Sequence, residues 1–428
     1  MISALLIFFF AGLLIGLPII ASMAVSVVGP LILTGSTAYS VESFVRWTLG
    51  GADNTTSIAI PMFILAGAIM AKGGISKRLF NVFALAAGKK TGGLPCAVVL
   101  TCLFYGAISG SGPATAAAVG SMAIPLLIEM GYEKVFCAAL VATSAGLGVI
   151  IPPSIPFVLY GMVSNTSVGD LFIAGILPGI VIGLFLMIYA VVYCKIRGED
   201  KEKIGANYES LKKRGVFRVL RESFWALLSP IIILGGIYSG IVTPTEAATI
   251  SVFYSIVVSV FVYREVPARS VPRLMTEAVK SYAPIIILIA MATAFSRALT
   301  MLNAPQMIGE FIIRTFPTKT AFILVILLVF FIMGMFMDAA PGIAVLAPIL
   351  VPVAVQLGIS PIHFGVMLIV NLAIGQITPP FGTNLFVTSG LAKIPVLSLG
   401  KKAIPLILVF VLALLVIAFV PWFSLALV

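Results

Sequence analysis

Charged side chains are scarce in this sequence. Lys, Arg, Asp and Glu make up 10% of its 428 residues, against roughly 25% in a soluble globular domain. Histidine occurs once, as His363, which leaves a serine-type hydrolase almost no choice of base. Asp338 has no neighbouring acid to form the dyad of an aspartyl enzyme. No Gly-x-x-x-x-Gly-Lys-Ser/Thr stretch is present, so the chain itself carries no phosphate-cradling loop for ATP. Cys96, Cys102, Cys137 and Cys194 have no metal-ligand spacing and lie in apolar stretches, as buried thiols do. The strand-period alternation of a membrane barrel is missing. No charge precedes Glu42, so the basic start of a cleaved leader is absent and residues 1–29 read as a retained membrane helix. An enzyme and a resident organic cofactor are therefore not expected.

What is present in excess is apolar: 61% hydrophobic residues, with a mean hydropathy of +1.20. Apolar runs fall at about 2–35 (broken near Pro18), 56–72, 93–108, 135–163, 170–194, 222–242, 245–263, 282–302, 320–336, 361–392 and 403–427. About 20 residues span a bilayer core, and lipid-exposed backbone must satisfy its own hydrogen bonds. The sequence thus predicts an all-α polytopic membrane protein of about 11 transmembrane helices. Two segments, about 109–130 and 338–357, are rich in small residues and proline and read as re-entrant hairpins. The runs at about 135–163 and 361–392 are too long for one clean helix, and each holds a Pro-Pro pair. The linker 195–221 carries nine Lys or Arg against four acids. Together with the +11 net charge gathered in short loops, it fits the cytoplasmic side of a multi-pass inner-membrane protein rather than a nucleic-acid surface.

The two parts flanking that linker, 1–194 and 222–392, resemble each other, with 393–428 left as a C-terminal helix. Gly148-Val149-Ile150-Ile151-Pro152-Pro153 aligns with Gly375-Gln376-Ile377-Thr378-Pro379-Pro380 at an offset of 227 (375 − 148). The same offset pairs Ser144 with Asn371, and an offset one longer pairs Pro113 with Pro341. An odd number of crossings per half would make the copies an inverted repeat. Interrupted apolar segments at matching places in two repeats point to a transporter's binding site.

Three constellations could carry chemistry. At the tip Ser109-Gly110-Ser111-Gly112-Pro113-Ala114-Thr115, hydroxyls and turned carbonyls suit a small hard cation, although small residues also let helices pack closely. Asp338 is a lone acid after a long apolar run, which marks an ion path or caps a hairpin helix. Around the Pro-Pro pairs, Ser144, Gly146, Gly148, Pro152, Pro153 and Ser154 form one cluster, and Asn371, Gln376, Thr378, Pro379, Gly382, Thr383 and Asn384 form the other. Proline frees carbonyls there, half-helix N-termini attract carboxylates, and unwound carbonyls attract Na+. A plain proline kink is the simpler reading of either break alone. His363 and Arg297 read as structural.

These stretches, with Ile60-Pro61-Met62-Phe63-Ile64-Leu65-Ala66-Gly67, Gly169 to Gly179, Gly235 to Ala248 and Met337 to Asn384, resemble the large membrane subunit of the tripartite ATP-independent periplasmic (TRAP) transporters, of the dicarboxylate-transporter large-subunit type. The resemblance covers nearly the whole chain. It implies the ion-transporter-superfamily fold and an elevator mechanism, with Na+ as the coupling ion. It also implies a periplasmic substrate-binding protein and a small four-helix membrane subunit, expected here as a separate chain. The substrate it implies is an organic acid: a C4-dicarboxylate, sialic acid or another sugar acid. Carried over, one sodium site falls near Ser109, Ser111, Ser144 and Gly148, and a second near Asp338, Thr378 and Gly382. Gly112, Pro113, Thr115, Pro152, Pro153, Ser154, Asn371, Gln376, Thr383 and Asn384 would then surround the substrate. A channel built on re-entrant loops is the rival reading, but filters usually need rings of subunits about one axis.

Overall fold

A computed structural model describes residues 1–34, 39–316 and 318–428. The described residues are helical throughout, with no strand. Nine of the helices are long and apolar enough to cross a membrane.

The N-terminal run is not one span. Ile2–Leu14 and Ile19–Thr34 are separate helices, and the end of the run, residue 35, lies outside the described residues. Gly16, at φ +88°, and Pro18 turn the chain back on itself. A Cβ on Gly12 would lie 2.9 Å from Ser22 Oγ, and one on Gly29 would lie 3.0 Å from the Phe8 ring. At 1.5 Å per residue each arm is about 20–24 Å long, short of a bilayer core of about 30 Å. The pair packs against the long helix Val271–Met301, where Phe9 meets Phe295 at 5.3 Å between ring centroids.

The hairpins also sit differently from the sequence expectation. Segment 109–130 is a single helix, Gly112–Glu129, and the turn lies at its start. Its other arm is Gly93–Ser109, read from sequence as a separate crossing. Likewise 338–357 is one arm, Ala339–Gln356, and its partner is Lys319–Phe336. Hydropathy counts apolar length and does not register that a chain reverses inside the apolar layer. Both ends of the first hairpin lie on one face. The Glu199 carboxylate accepts from Gly92 N at 3.0 and 3.1 Å at the entry, and from the Tyr132 hydroxyl at the exit. The second hairpin closes similarly, with Lys319 Nζ donating to Gly358 O at 3.4 Å.

Both Pro-Pro runs break. Lys134–Ala145 continues as a short 3-10 turn, Gly146–Val149, and restarts as Ile155–Ser164. Pro361–Gly375 restarts as Thr383–Ala392. Tyr160, late in the first, donates to Pro361 O at the start of the second at 2.6 Å, while Asn384 Nδ2 reaches back to Ala142 O at 3.4 Å. The two broken helices therefore run antiparallel. Much of the linker is itself helical, Lys201–Lys213, capped by Asp200 accepting from Lys203 N.

Each hairpin rests on its broken helix through paired glycines. A Cβ on Gly106 would stand 2.7 Å from Gly148 Cα, and one on Gly375 would stand 2.4 Å from Gly334 backbone carbons. Real Cβ atoms cannot come so near, so backbone contact here requires glycine. We expect Gly375→Ala to lower the thermal midpoint by the equivalent of about 1–3 kcal/mol, the usual range for overpacking. Gly50→Ala, whose Cβ would meet nothing within 4 Å, should leave it unchanged or raise it. Equal midpoints for Gly375→Ala and wild type in a melting curve would contradict this packing.

Candidate functional site

The hairpin tips and helix breaks converge. Gly110, at φ +62°, ends the first arm, and its carbonyl accepts from Ile155 N at 3.2 Å, joining tip to break. Around it the hydroxyls are knitted together. Ser109 Oγ and Thr115 Oγ1 are 2.8 Å apart, and Thr115 Oγ1 donates to Ser111 O at 2.9 Å. A Cβ on Gly148 would fall 2.4 Å from Thr115 Oγ1 and 2.9 Å from Ser111 O. Ser109, Ser111, Thr115 and Gly148 are thus in one place. Ser144 lies one helical turn before Gly148, and its buried hydroxyl has no hydrogen-bond partner. Ser154 caps the restarted helix, accepting from Phe157 N at 3.3 Å and donating to Val149 O at 2.6 Å. Pro153 lies beside the tip, with its carbonyl 2.9 Å from where a Cβ of Gly110 would be. Pro152 belongs to the same turn.

The second tip meets the first through Gln376. Asp338 is the N-cap of Ala339–Gln356, accepting from Ala339 N at 2.8 Å, and the same oxygen accepts from Gln376 Nε2 at 2.8 Å. The other face of Gln376 looks at the first hairpin. A Cβ on Gly112 would lie 2.6 Å from Gln376 Oε1 and 3.0 Å from Asn384 Oδ1. Gln376 Oε1, Asn384 Oδ1 and Thr383 Oγ1 are enclosed and unpartnered. A buried acceptor left unpaired costs about 1–3 kcal/mol, so a group of them beside one carboxylate is chemistry waiting for a cation or a donor ligand.

Not every predicted residue joins this cluster. The Asp338 carboxylate bonds to Ala339 and Gln376, not to Thr378 or Gly382. Thr378 Oγ1 instead donates to Ile374 O at 2.7 Å within its own helix, and Gly382 N donates to Thr378 O at 3.1 Å. Asn371 Nδ2 donates to Leu327 O on the hairpin arm at 2.6 Å, leaving its Oδ1 unpartnered. His363 is buried with Nε2 3.2 Å from Ala418 O, and Arg297 is exposed.

Between the tips and the neighbouring helices lies a cavity of about 380 Å³. Ser109, Gly110, Ser111 and Pro113 line it from the first tip, Asp338 to Ala340 from the second, Val149, Ile155 and Pro156 from the first break, and Gln376 from the second. Ala114, Ala117 and Ala118 extend the first hairpin's share, and the remaining wall is Ile64, Gly67, Ala68 and Ala71 of Ala59–Lys72, with Ser281 and Ile285 of Val271–Met301. Sequence reasoning assigned that wall no role. The available signal was Gly67, a glycine inside an apolar helix: its carbonyl accepts from the Tyr105 hydroxyl at 3.2 Å, and a Cβ there would stand 3.1 Å from Ser109 Cα. Among the described residues, no Lys or Arg lines the cavity, and Asp338 is its one charged residue. Three helices begin at its edge, at Gly112, Ile155 and Ala339.

Paired hairpins and broken helices around a small cavity in an apolar helical body define a membrane transport protein. The chain belongs to the family described as Tripartite ATP-independent periplasmic transporter, DctM component, which it matches over residues 6–423. It is 41% identical to the isethionate TRAP transporter permease protein DctMQ of Oleidesulfovibrio alaskensis over 97% of its own length and 64% of that protein's. It is 40% identical to the C4-dicarboxylate TRAP transporter large permease protein DctM of Pseudomonas aeruginosa, over 91% of this chain and 90% of that one. The fold is shared with the Alcanivorax borkumensis YdaH transporter, at a TM-score of 0.64 and 13% identity, covering 90% and 88% of the two chains.

Replacing both Pro152 and Pro153 by alanine restores two amide donors. The residue-153 amide would then compete for Val149 O, four residues earlier, which Ser154 Oγ now holds. We expect the helix to extend through 150–154 and amide hydrogen exchange there to slow. Unchanged exchange would mean that packing, not proline, holds the break open.

Proposed function

We propose that this chain is the membrane subunit of a Na+-coupled uptake system for an organic acid that a periplasmic binding protein delivers. The carrying observation is the charge of the cavity. A carboxylate must bind where the only charged side chain is acidic, so the positive charge has to come from helix N-termini and from cations. The helix starts at Gly112 and Ile155 supply the first, since the positive end of a helix dipole favours anions, while the start at Ala339 is already capped by Asp338. Na+ supplies the second. Ser144 Oγ and carbonyls of the Ser109–Ser111 tip offer one set of oxygens; Asp338 with the oxygens of Gln376, Thr383 and Asn384 offers another. This second set differs from the Asp338, Thr378 and Gly382 grouping, because the Thr378 hydroxyl is engaged within its own helix. Cation and anion then bind better together than apart, which is what coupling requires.

The antiparallel broken helices, each packed on a hairpin by paired glycines, support an inverted repeat. The hairpin and broken-helix body would slide against Ala59–Lys72 and Val271–Met301, carrying the cavity between faces as an elevator. The small wall residues Gly67, Ala68 and Ala71 suit such sliding. The inner membrane, with 195–221 in the cytoplasm, is the setting that the basic loops favour. A separate small membrane chain completes the assembly. C4-dicarboxylates, sialic acid and other sugar acids are the substrates to test.

The experiment is a thermal titration of the purified full chain, with its small partner, in Na+ against K+. A ligand bound only by the folded state raises stability by RT ln(1 + [L]/Kd), about 2.7 kcal/mol at a hundred times Kd. We expect a rise specific to Na+ that Asp338→Asn and Ser144→Ala each reduce. In K+, Ser144→Ala should be neutral or slightly stabilising, because it removes a buried hydroxyl that has no partner. Identical titrations in the two ions would remove Na+ coupling from the proposal.

A further inference from the structure

Another pocket shares no lining residue with the cavity between the tips. Its volume is about 520 Å³, and it is lined by Arg78, Arg218, Arg221, Glu222, Trp225, Val262 and Tyr263. It is a built feature. Ser223 Oγ donates to Arg78 O at 3.0 Å, Ala226 N donates to the Tyr263 hydroxyl at 3.1 Å, and the Arg78 guanidinium stacks 3.8 Å from the Tyr263 ring centroid. Two carboxylates face it. Glu265 pairs with Arg78 at 3.0 Å, while Glu222 pairs with Arg218 at 3.0 Å and more distantly with Arg214. Four arginines thus stand against two acids, and Arg221 makes no ion pair or side-chain hydrogen bond among the described residues.

The surroundings identify the ligand. Phe217 is 80% exposed, Phe224 53% and Val262 40%, on apolar helices long enough to cross a membrane. Trp225 lines the pocket, and an indole ring suits a membrane–water interface. An arginine cluster directly beside exposed apolar surface suits a molecule with an anionic head and apolar chains. Arginine meets phosphate oxygens with paired N–H donors, and basic pockets between spans on the cytoplasmic side suit lipid headgroups. We propose that this pocket binds the phosphodiester headgroup of an anionic phospholipid, with Arg221 as the free cation that takes the charge.

The test uses the purified full chain and native mass spectrometry, titrating phosphatidylglycerol against phosphatidylcholine. Wild type should retain phosphatidylglycerol preferentially. Arg221→Gln should weaken that binding about fivefold, the change expected for one basic residue near a membrane surface. Its melting midpoint in phosphatidylcholine should match wild type, since Arg221 makes no ion pair or side-chain hydrogen bond among the described residues. Arg269→Gln, an exposed arginine outside the pocket, should leave binding unchanged. An equal loss in Arg269→Gln would overturn the site in favour of diffuse attraction. Displacement of the lipid by millimolar inorganic phosphate would overturn it in favour of a free-anion site. No preference between the lipids would overturn it outright.

Discussion

Backbone that stops being helical inside an apolar layer must find its hydrogen bonds within the protein, and the rest of this structure answers to that demand. The chain is interrupted at two tips and two breaks, and these answer one another. Gly110 O takes the amide of Ile155, and Met335 O takes the amide of Phe381 at 3.1 Å. Such bonds form only if hairpin and broken helix touch backbone to backbone. The glycine pairs Gly106–Gly148 and Gly334–Gly375 allow that approach. Glycine costs helix stability, and here it is placed where contact needs it.

The same interruptions create the site. Each break leaves a helix beginning in the interior, with the positive end of its dipole there, and each frees carbonyls at the preceding end. In the proposed function, a cavity with no lysine or arginine among its described lining residues receives an anion at these helix ends, and oxygens around Asp338 and Ser144 receive cations. Structural necessity and function use the same atoms. The basic pocket around Arg221 is separate in kind, because it shares no lining residue with the cavity and draws on side-chain charge.

Two residues show how the site was and was not legible. Gln376 was visible in sequence as a polar residue beside a Pro-Pro pair. Its role as the bridge from Asp338 to the Gly112 helix follows only from the approach of elements 38 residues apart. Thr378 was equally visible, yet its hydroxyl turns back to Ile374 O in its own helix. Ser and Thr have a local carbonyl within reach in any helix, so composition alone cannot say which hydroxyls remain free. Gly67 and Ser281 went unassigned because a cavity wall made of small residues has no composition that marks it.

Local pattern along the chain is enough to mark a helical membrane protein with Pro-Pro breaks and small-residue segments at matched positions, and one acid, Asp338, after a long apolar run. Apolar length, proline and glycine act locally, and their consequences can be read along the chain. Tertiary structure alone decided that Gly93–Ser109 and Lys319–Phe336 are hairpin arms, that the first apolar run folds back on itself, and that Gln376 joins the two tips. Those outcomes depend on which backbone another backbone can approach. That is settled by contacts between residues tens to hundreds of positions apart, where no local pattern reaches.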